Sequence, residues 1–113
     1  MPFIDCKLSR KITDKQKDEI KSKLGAKISI MHKTEDYLMV GIQDGYDLWF
    51  AGGKLEDGAY VGIKVYGRLS SADCNRMTGA VCSILSETLG IEGQNVYVTY
   101  QGIADWGWDG SNF

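Results

Sequence analysis

The hydrophobic positions of this chain change period along its length, and each change marks an element. Phe3 to Leu8 opens on an apolar pair and then alternates, the period-two pattern of a short strand. Thr13 followed by Gln16 has the form of a capping box, in which each side chain satisfies the other residue's backbone N–H at a helix start. Behind it Ile20, Leu24, Ile28 and Met31 recur at helical spacing. The opposite face carries Lys15, Lys17, Lys21 and Lys23 with Asp18 and Glu19, a solvated charge run. Gly25 weakens this helix by about 1 kcal/mol relative to alanine and marks a place where it can break. Tyr37 to Ile42 reads as a second strand. Asp44-Gly45, Ala51-Gly52-Gly53 and Asp57-Gly58 are turn signals around a short apolar piece, Leu48 to Phe50. Ala59 to Tyr66 reads as a third long strand. Ser70 followed by Asp73 caps a second helix, whose apolar stripe is Met77, Val81, Ile84 and Leu85 and whose left-handed stop is Gly90. Val96 to Tyr100 is the last long strand, and Gln101 to Phe113 reads as a loop-rich tail.

The order is therefore strand–helix–strand twice over. It predicts an α+β fold: two pseudo-repeated β-α-β units, a four-stranded mixed sheet and both helices on one face. A length of 113 residues fits one domain spanning 1–113, small enough to gain from oligomerisation.

Composition adds mainly exclusions. A chain 43% hydrophobic and 25% charged is an ordinary globule. A net charge of −2 indicates no nucleic-acid partner. No apolar run reaches membrane length, and Lys7, Arg10 and Lys11 stand where a signal peptide needs its apolar core, so the expected location is cytoplasmic. Cys6, Cys74 and Cys82 are odd in number, widely spaced and without a C-x-x-C, which predicts buried free thiols and no zinc site. His32, the only histidine, cannot build a His-based metal site and reads as a polar residue at a helix end.

Pro2 is the only proline and directly follows Met1. Methionine is readily trimmed before a small residue, and trimming here would expose a rigid secondary amine. An α-amine titrates at about 7.7–8.0. Burial or a nearby cation lowers that further, and a general base works best with a pKa near the operating pH. Read alone, Pro2 is equally a strand starter whose missing N–H costs nothing. Lys33 alone is a lysine favoured at a helix C-terminus, and Tyr97 a routine strand residue. The tail, dense in Trp106, Trp108 and Phe113, needs cover from the core or from a neighbouring subunit.

Taken together, Met1-Pro2-Phe3-Ile4, Lys33 with Tyr37-Leu38-Met39-Val40, Gly52-Gly53, Asn95-Val96-Tyr97-Val98 and Gly107-Trp108-Asp109-Gly110-Ser111-Asn112-Phe113 resemble the macrophage migration inhibitory factor family of the tautomerase superfamily. The resemblance spans essentially the whole chain. It implies a tautomerase-like homotrimer that needs no metal or organic cofactor. The implied reaction is keto–enol tautomerisation of a small aromatic 2-oxo acid such as phenylpyruvate, or of a dopachrome-type substrate. Pro2, once exposed, takes the position of the family's general base. Lys33 falls on the lysine that binds the substrate carboxylate, and its field lowers the amine pKa. Tyr97 matches the tyrosine lent by a neighbouring subunit. Tyr66 falls where the family often has isoleucine and contributes a backbone N–H. Tyr37, Trp106, Trp108 and Phe113 fall at the hydrophobic walls.

Four departures qualify the match, one of them a stretch between Gln101 and Trp106 that is shorter than in the vertebrate members. Thr99 stands where well-known members have asparagine, with shorter reach and no second donor. The stretch from Asp57 to Tyr60 has no cysteine, so a thiol–disulfide role has no support. Arg10, Arg68 and Arg76 do not sit beside the motif positions, which argues against dehalogenase or decarboxylase chemistry. The same resemblance implies a second class of function, a binding or signalling protein that retains Met1, meets a receptor through its surface and leaves the cell without a secretion signal.

Overall fold

A computed structural model describes residues 1–113. Its central sheet has four strands in the order β2-β1-β5-β6. Strand β1 covers Pro2–Leu8, β2 Met39–Gln43, β5 Ala59–Tyr66 and β6 Val96–Ile103. β1 runs parallel to β2, and β5 parallel to β6, so each β-α-β unit closes its own parallel pair. The two units join through an antiparallel pairing of β1 with β5, in which Pro2 faces Val65 and Leu8 faces Ala59. The sheet is mixed, as the element order predicts.

Alternation decides the faces. In β1 and β5 the residues Ile4, Cys6, Leu8, Ala59, Val61, Ile63 and Val65 are buried, and the residues between them are not. The buried set meets Ile20 and Leu24 of helix α1 (Asp14–Lys27) and Met77, Val81, Ile84 and Leu85 of helix α2 (Ser71–Leu89) in one cluster of 18 buried residues. Each such side chain contributes about 1.5–3 kcal/mol on leaving water, which is why one face of the sheet holds both helices. The other face, with Phe3, Asp5, Lys7, Tyr60, Lys64, Thr99 and Gln101, has no layer over it in a single chain.

Both caps form as their residues predict. Thr13 Oγ1 accepts from the Gln16 N–H while Gln16 Oε1 accepts from the Thr13 N–H. Ser70 Oγ accepts from the Asp73 N–H, and Gly90 closes α2 at φ 70°. No break occurs at Gly25. The helix runs on to Lys27, and Gly25 is buried because the Glu35 side chain lies where its Cβ would be. The change comes later: Ile28–Met31 tighten into a 3-10 turn that ends on His32 in the left-handed region, φ 58°. His32 is thus a helix-end residue, with Nε2 3.1 Å from Asp73 Oδ2.

Other boundaries move. Glu35–Tyr37 is a 3-10 turn, so the second strand begins at Met39 rather than Tyr37 and extends to Gln43. β6 continues to Ile103 because it stays paired with β5 as far as Tyr66. The short apolar piece is a hairpin of β3 (Trp49–Phe50) and β4 (Gly53–Lys54), turned by Ala51 and Gly52 at φ 52° and 85°. The tail is ordered too. β7 (Gly107–Trp108) pairs with β8 (Ser111–Asn112) across Asp109 and Gly110, at φ 50° and 92°. Two positive φ values in a two-residue turn are what a twisted hairpin requires, and Asp-Gly supplies them at low cost.

Candidate active site

The end of the sheet where β1 starts and the tail hairpin folds back holds the largest depression, about 690 Å³. Its lining includes Met1, Pro2 and Phe3 from the N-terminus, Tyr37 to Met39 from the turn before β2, and Trp106 to Trp108 from the tail. Pro2 is buried at the first position of β1, where the sheet asks nothing of its missing N–H. The tail hairpin is what brings the aromatics here. Phe113 donates its N–H to the Trp106 carbonyl at 3.1 Å, closing the hairpin base.

Four rings then form a chain. Tyr37 meets Trp108 edge-on at 6.0 Å, Trp108 stacks on Phe113 at 6.3 Å, and Phe113 tilts against Tyr66 at 5.4 Å. These are the offset and edge geometries that aromatic pairs favour. Tyr37, Trp108 and Phe113 nevertheless remain more than half exposed, at 56%, 55% and 55%. In one chain they make an open wall.

The N-terminal amine sits over this wall. It is held below its ordinary value by burial first and by the positive field of Lys33 second. Lys33 follows the left-handed His32, which turns the chain back toward β5, and its Nζ donates to the Tyr66 carbonyl at 3.1 Å. Lys33 does not line the aromatic pocket itself. It lines a neighbouring depression with Met31, His32, Arg68, Leu69, Ser70 and Asp73, and acts on the amine through its charge.

Tyr66 makes two backbone hydrogen bonds at this end of the sheet. Its carbonyl takes Lys33, and its N–H donates to the Met1 carbonyl at 2.9 Å. With Met1 in place, the Pro2 nitrogen is an amide without a basic lone pair, and the Tyr66 donor is occupied. Loss of Met1 changes both at once. The amine moves to Pro2, and the Tyr66 N–H loses its acceptor.

Tyr97 and Thr99 are not at this end of the molecule. Pro2 pairs with Val65, whose partner on β6 is Gly102. Tyr97 lies five residues along β6 from that row, roughly 17 Å at a strand's rise per residue. It packs against Phe50 at 5.4 Å and is 61% exposed. Thr99 shares a hydrogen bond with Tyr60, Oγ1 to hydroxyl 2.6 Å. Within one chain neither reaches Pro2. Arg10 pairs with Asp57 and Arg76 with Asp73, away from the pocket, whereas Arg68 shares the depression of Lys33.

Two pocket residues were missed by reading motifs alone, Lys64 and Asp36. Lys64 had a signal: it stands two residues before Tyr66 on a strand, so period two puts both on one face. Asp36 had none, because the turn that carries it reads as a strand start. No group of three or more His, Cys, Asp or Glu is placed to hold a metal ion. No helix is long and apolar enough to cross a membrane.

Comparison with known proteins places this geometry. A search of curated protein sequences finds no match. Among solved structures, MIF2 of Leishmania major superposes with a TM-score of 0.91 at 24% identity, covering 100% of this chain and 97% of that one. The macrophage migration inhibitory factor-like protein of Entamoeba histolytica gives 0.85 at 26%, covering 99% and 98%. A fused 4-OT described as a symmetric trimer shares the fold at 0.85 and 17% identity, covering 96% and 93%. The family model described as macrophage migration inhibitory factor (MIF) matches residues 1–113, and the chain belongs to that family over its whole length.

Proposed function

We propose that the chain is a cofactor-independent tautomerase that interconverts keto and enol forms of aromatic 2-oxo acids such as phenylpyruvate, with Pro2 as general base once Met1 is removed. One observation carries this reading. The N-terminal amine lies at an aromatic pocket and is held below its ordinary pKa by burial and by Lys33. An amine in that position loses its proton more readily than a free α-amine, which suits a general base.

The step needs one base and one place for charge. The Pro2 lone pair takes a proton from C3 of the 2-oxo acid. The C–H electron pair forms the C2–C3 double bond, and the carbonyl π pair moves onto oxygen as an enolate. The prolinium then returns the proton to that oxygen, giving the enol and regenerating the amine. Lys33 binds the carboxylate and stabilises the enolate charge beside it. The Tyr66 N–H, released with Met1, offers a further donor. The ring of the substrate lies against Tyr37, Trp106, Trp108 and Phe113, where exclusion of water strengthens both charge effects.

The active unit in this reading is a homotrimer, with Tyr97 and Thr99 entering the pocket from the neighbouring chain. Support comes from surface chemistry: Met39, Trp49 and Tyr97 are 68%, 65% and 61% exposed and need cover. A cytoplasmic setting accords with the three free thiols, Cys6, Cys74 and Cys82. The test is phenylpyruvate tautomerisation by protein shown by intact mass to lack Met1 and by sedimentation to be three chains. Pro2→Gly lowers kcat/KM by about 10²-fold or more, the contribution of a positioned base. Full activity in that variant overturns the reading.

A further inference from the structure

The pocket contains a cation that the reaction above does not use. Lys64 lines it from β5, on the uncovered face of the sheet, in a row that runs Met39, Phe3, Lys64, Gln101. Its neighbours across one strand boundary are therefore an aromatic ring and, beyond that, a methionine. Its ammonium finds no acceptor within the chain, whereas Lys7 on the same face is paired with Asp5 at 2.5 Å. The one carboxylate in the lining, Asp36, comes from the Glu35–Tyr37 turn beside Tyr37. The mouth is thus acidic on its turn side and basic on its sheet side.

Spacing relates Lys64 to the other cation. Lys33 docks on the Tyr66 carbonyl, and Tyr66 and Lys64 are two residues apart on one strand. Their Cα atoms are roughly 7 Å apart at a strand's rise. Lys33 is anchored at the Tyr66 carbonyl in the neighbouring depression, and Lys64 stands in the pocket itself. Under the tautomerase reading the substrate carboxylate goes to Lys33, and Lys64 remains as the one cationic side chain lining the pocket.

We propose that Lys64 is a specificity-determining residue that selects 2-oxo acids bearing a second acidic group. This rests on the tautomerase reading above. Lys64 is exposed in a single chain, so the lower dielectric that strengthens a charge-assisted bond comes from the ligand itself as its ring covers the pocket. A substrate with a single carboxylate leaves that ammonium unpaired. A second acidic group on the ring fills it.

The experiment compares phenylpyruvate with (4-carboxyphenyl)pyruvate on the Met1-free protein, in the wild type, Lys64→Met and Lys64→Arg. Methionine keeps most of the stem and removes the charge. The wild type is expected to have the lower KM for the diacid. Lys64→Met should raise that KM by roughly tenfold, the scale of one charge-assisted bond, and Lys64→Arg should recover most of it. The effect belongs in KM rather than kcat, and in the ratio between the two substrates. Competition by terephthalate over benzoate, measured on the wild type alone, should show the same preference. If both substrates turn over and their ratio is the same in Lys64→Met, Lys64 has no such role and the proline mechanism stands. If the Met1-free wild type turns over neither, the tautomerase reading fails and takes this one with it.

Discussion

Gly110 should control the pocket without controlling the fold. It sits at φ 92° in the turn between β7 and β8, and a Cβ there would meet nothing within 4 Å. Gly110→Ala therefore introduces no clash, only backbone strain. Holding an L-residue in the left-handed region costs about 1–2 kcal/mol. That energy acts on a hairpin of two-residue strands, which is marginal on its own. A strain of this size lowers the ratio of closed to open hairpin by about 5- to 30-fold. The hairpin carries Trp108 and Phe113, two of the four linked rings, yet no residue beyond Val96 belongs to the buried core. The expectation is faster proteolysis of the tail, altered tryptophan fluorescence, a several-fold weaker affinity for phenylpyruvate, and little change in Tm. Gly52→Ala is the matched control. It imposes similar strain at φ 85° in the β3–β4 hairpin, away from its own chain's Pro2, and it controls for tail proteolysis and Tm rather than for affinity, because Phe50 of that hairpin packs on Tyr97. If Gly110→Ala opens the tail and affinity is unchanged, the aromatic wall does not hold the ligand. If the tail stays closed, the strain argument is wrong.

Two further outcomes follow from charge and burial. Lys33→Met removes the cation that helps lower the N-terminal amine, so that amine's pKa should rise; in Met1-free protein the ascending, acidic limb of the activity–pH profile should move to higher pH, and the KM for phenylpyruvate should increase. An unchanged profile would remove Lys33 from the site. Burial, with Asp5 adding to it and Lys7 opposing, pushes the Cys6 thiol from 9.0 up to about 12. Between those values the unfolded chain has released the proton and the folded chain still holds it. Stability should therefore fall as pH rises through that window, with a slope of up to about 1.4 kcal/mol per pH unit. Denaturant melts of wild type and Cys6→Val from pH 8 to 11 measure the difference, and parallel curves would contradict it.

What could be read along the chain was whatever one element decides for itself. Capping at Thr13 and Ser70 is local chemistry, and the alternation through Ala59 to Tyr66 reports one strand's two faces, so both survive into the structure. The helix runs unbroken through Gly25, where the Glu35 side chain leaves no room for a Cβ; only the tertiary fold supplies that neighbour. The tail hairpin was within reach, since Asp109-Gly110 is the same kind of signal as Asp44-Gly45, but the run of aromatics drew the reading toward a loop. The site divides in the same way. Pro2, Tyr37, Trp106 and Trp108 share one pocket, with Tyr66 and Phe113 joined to it through their rings. Register places Tyr97 near the far end of β6 and Thr99 at its middle, opposite Gly62, so neither side chain reaches Pro2 within one chain.

The central claim is that a functional amine exists only after Met1 is lost. It is tested most directly by one preparation measured twice. Chain shown by intact mass to retain Met1 is assayed for phenylpyruvate tautomerisation, then treated with methionine aminopeptidase and assayed again as the mass falls by one methionine. Activity that appears in proportion to the Met1-free fraction is the predicted result. Equal activity before and after cleavage would mean that the Pro2 amine is not the base.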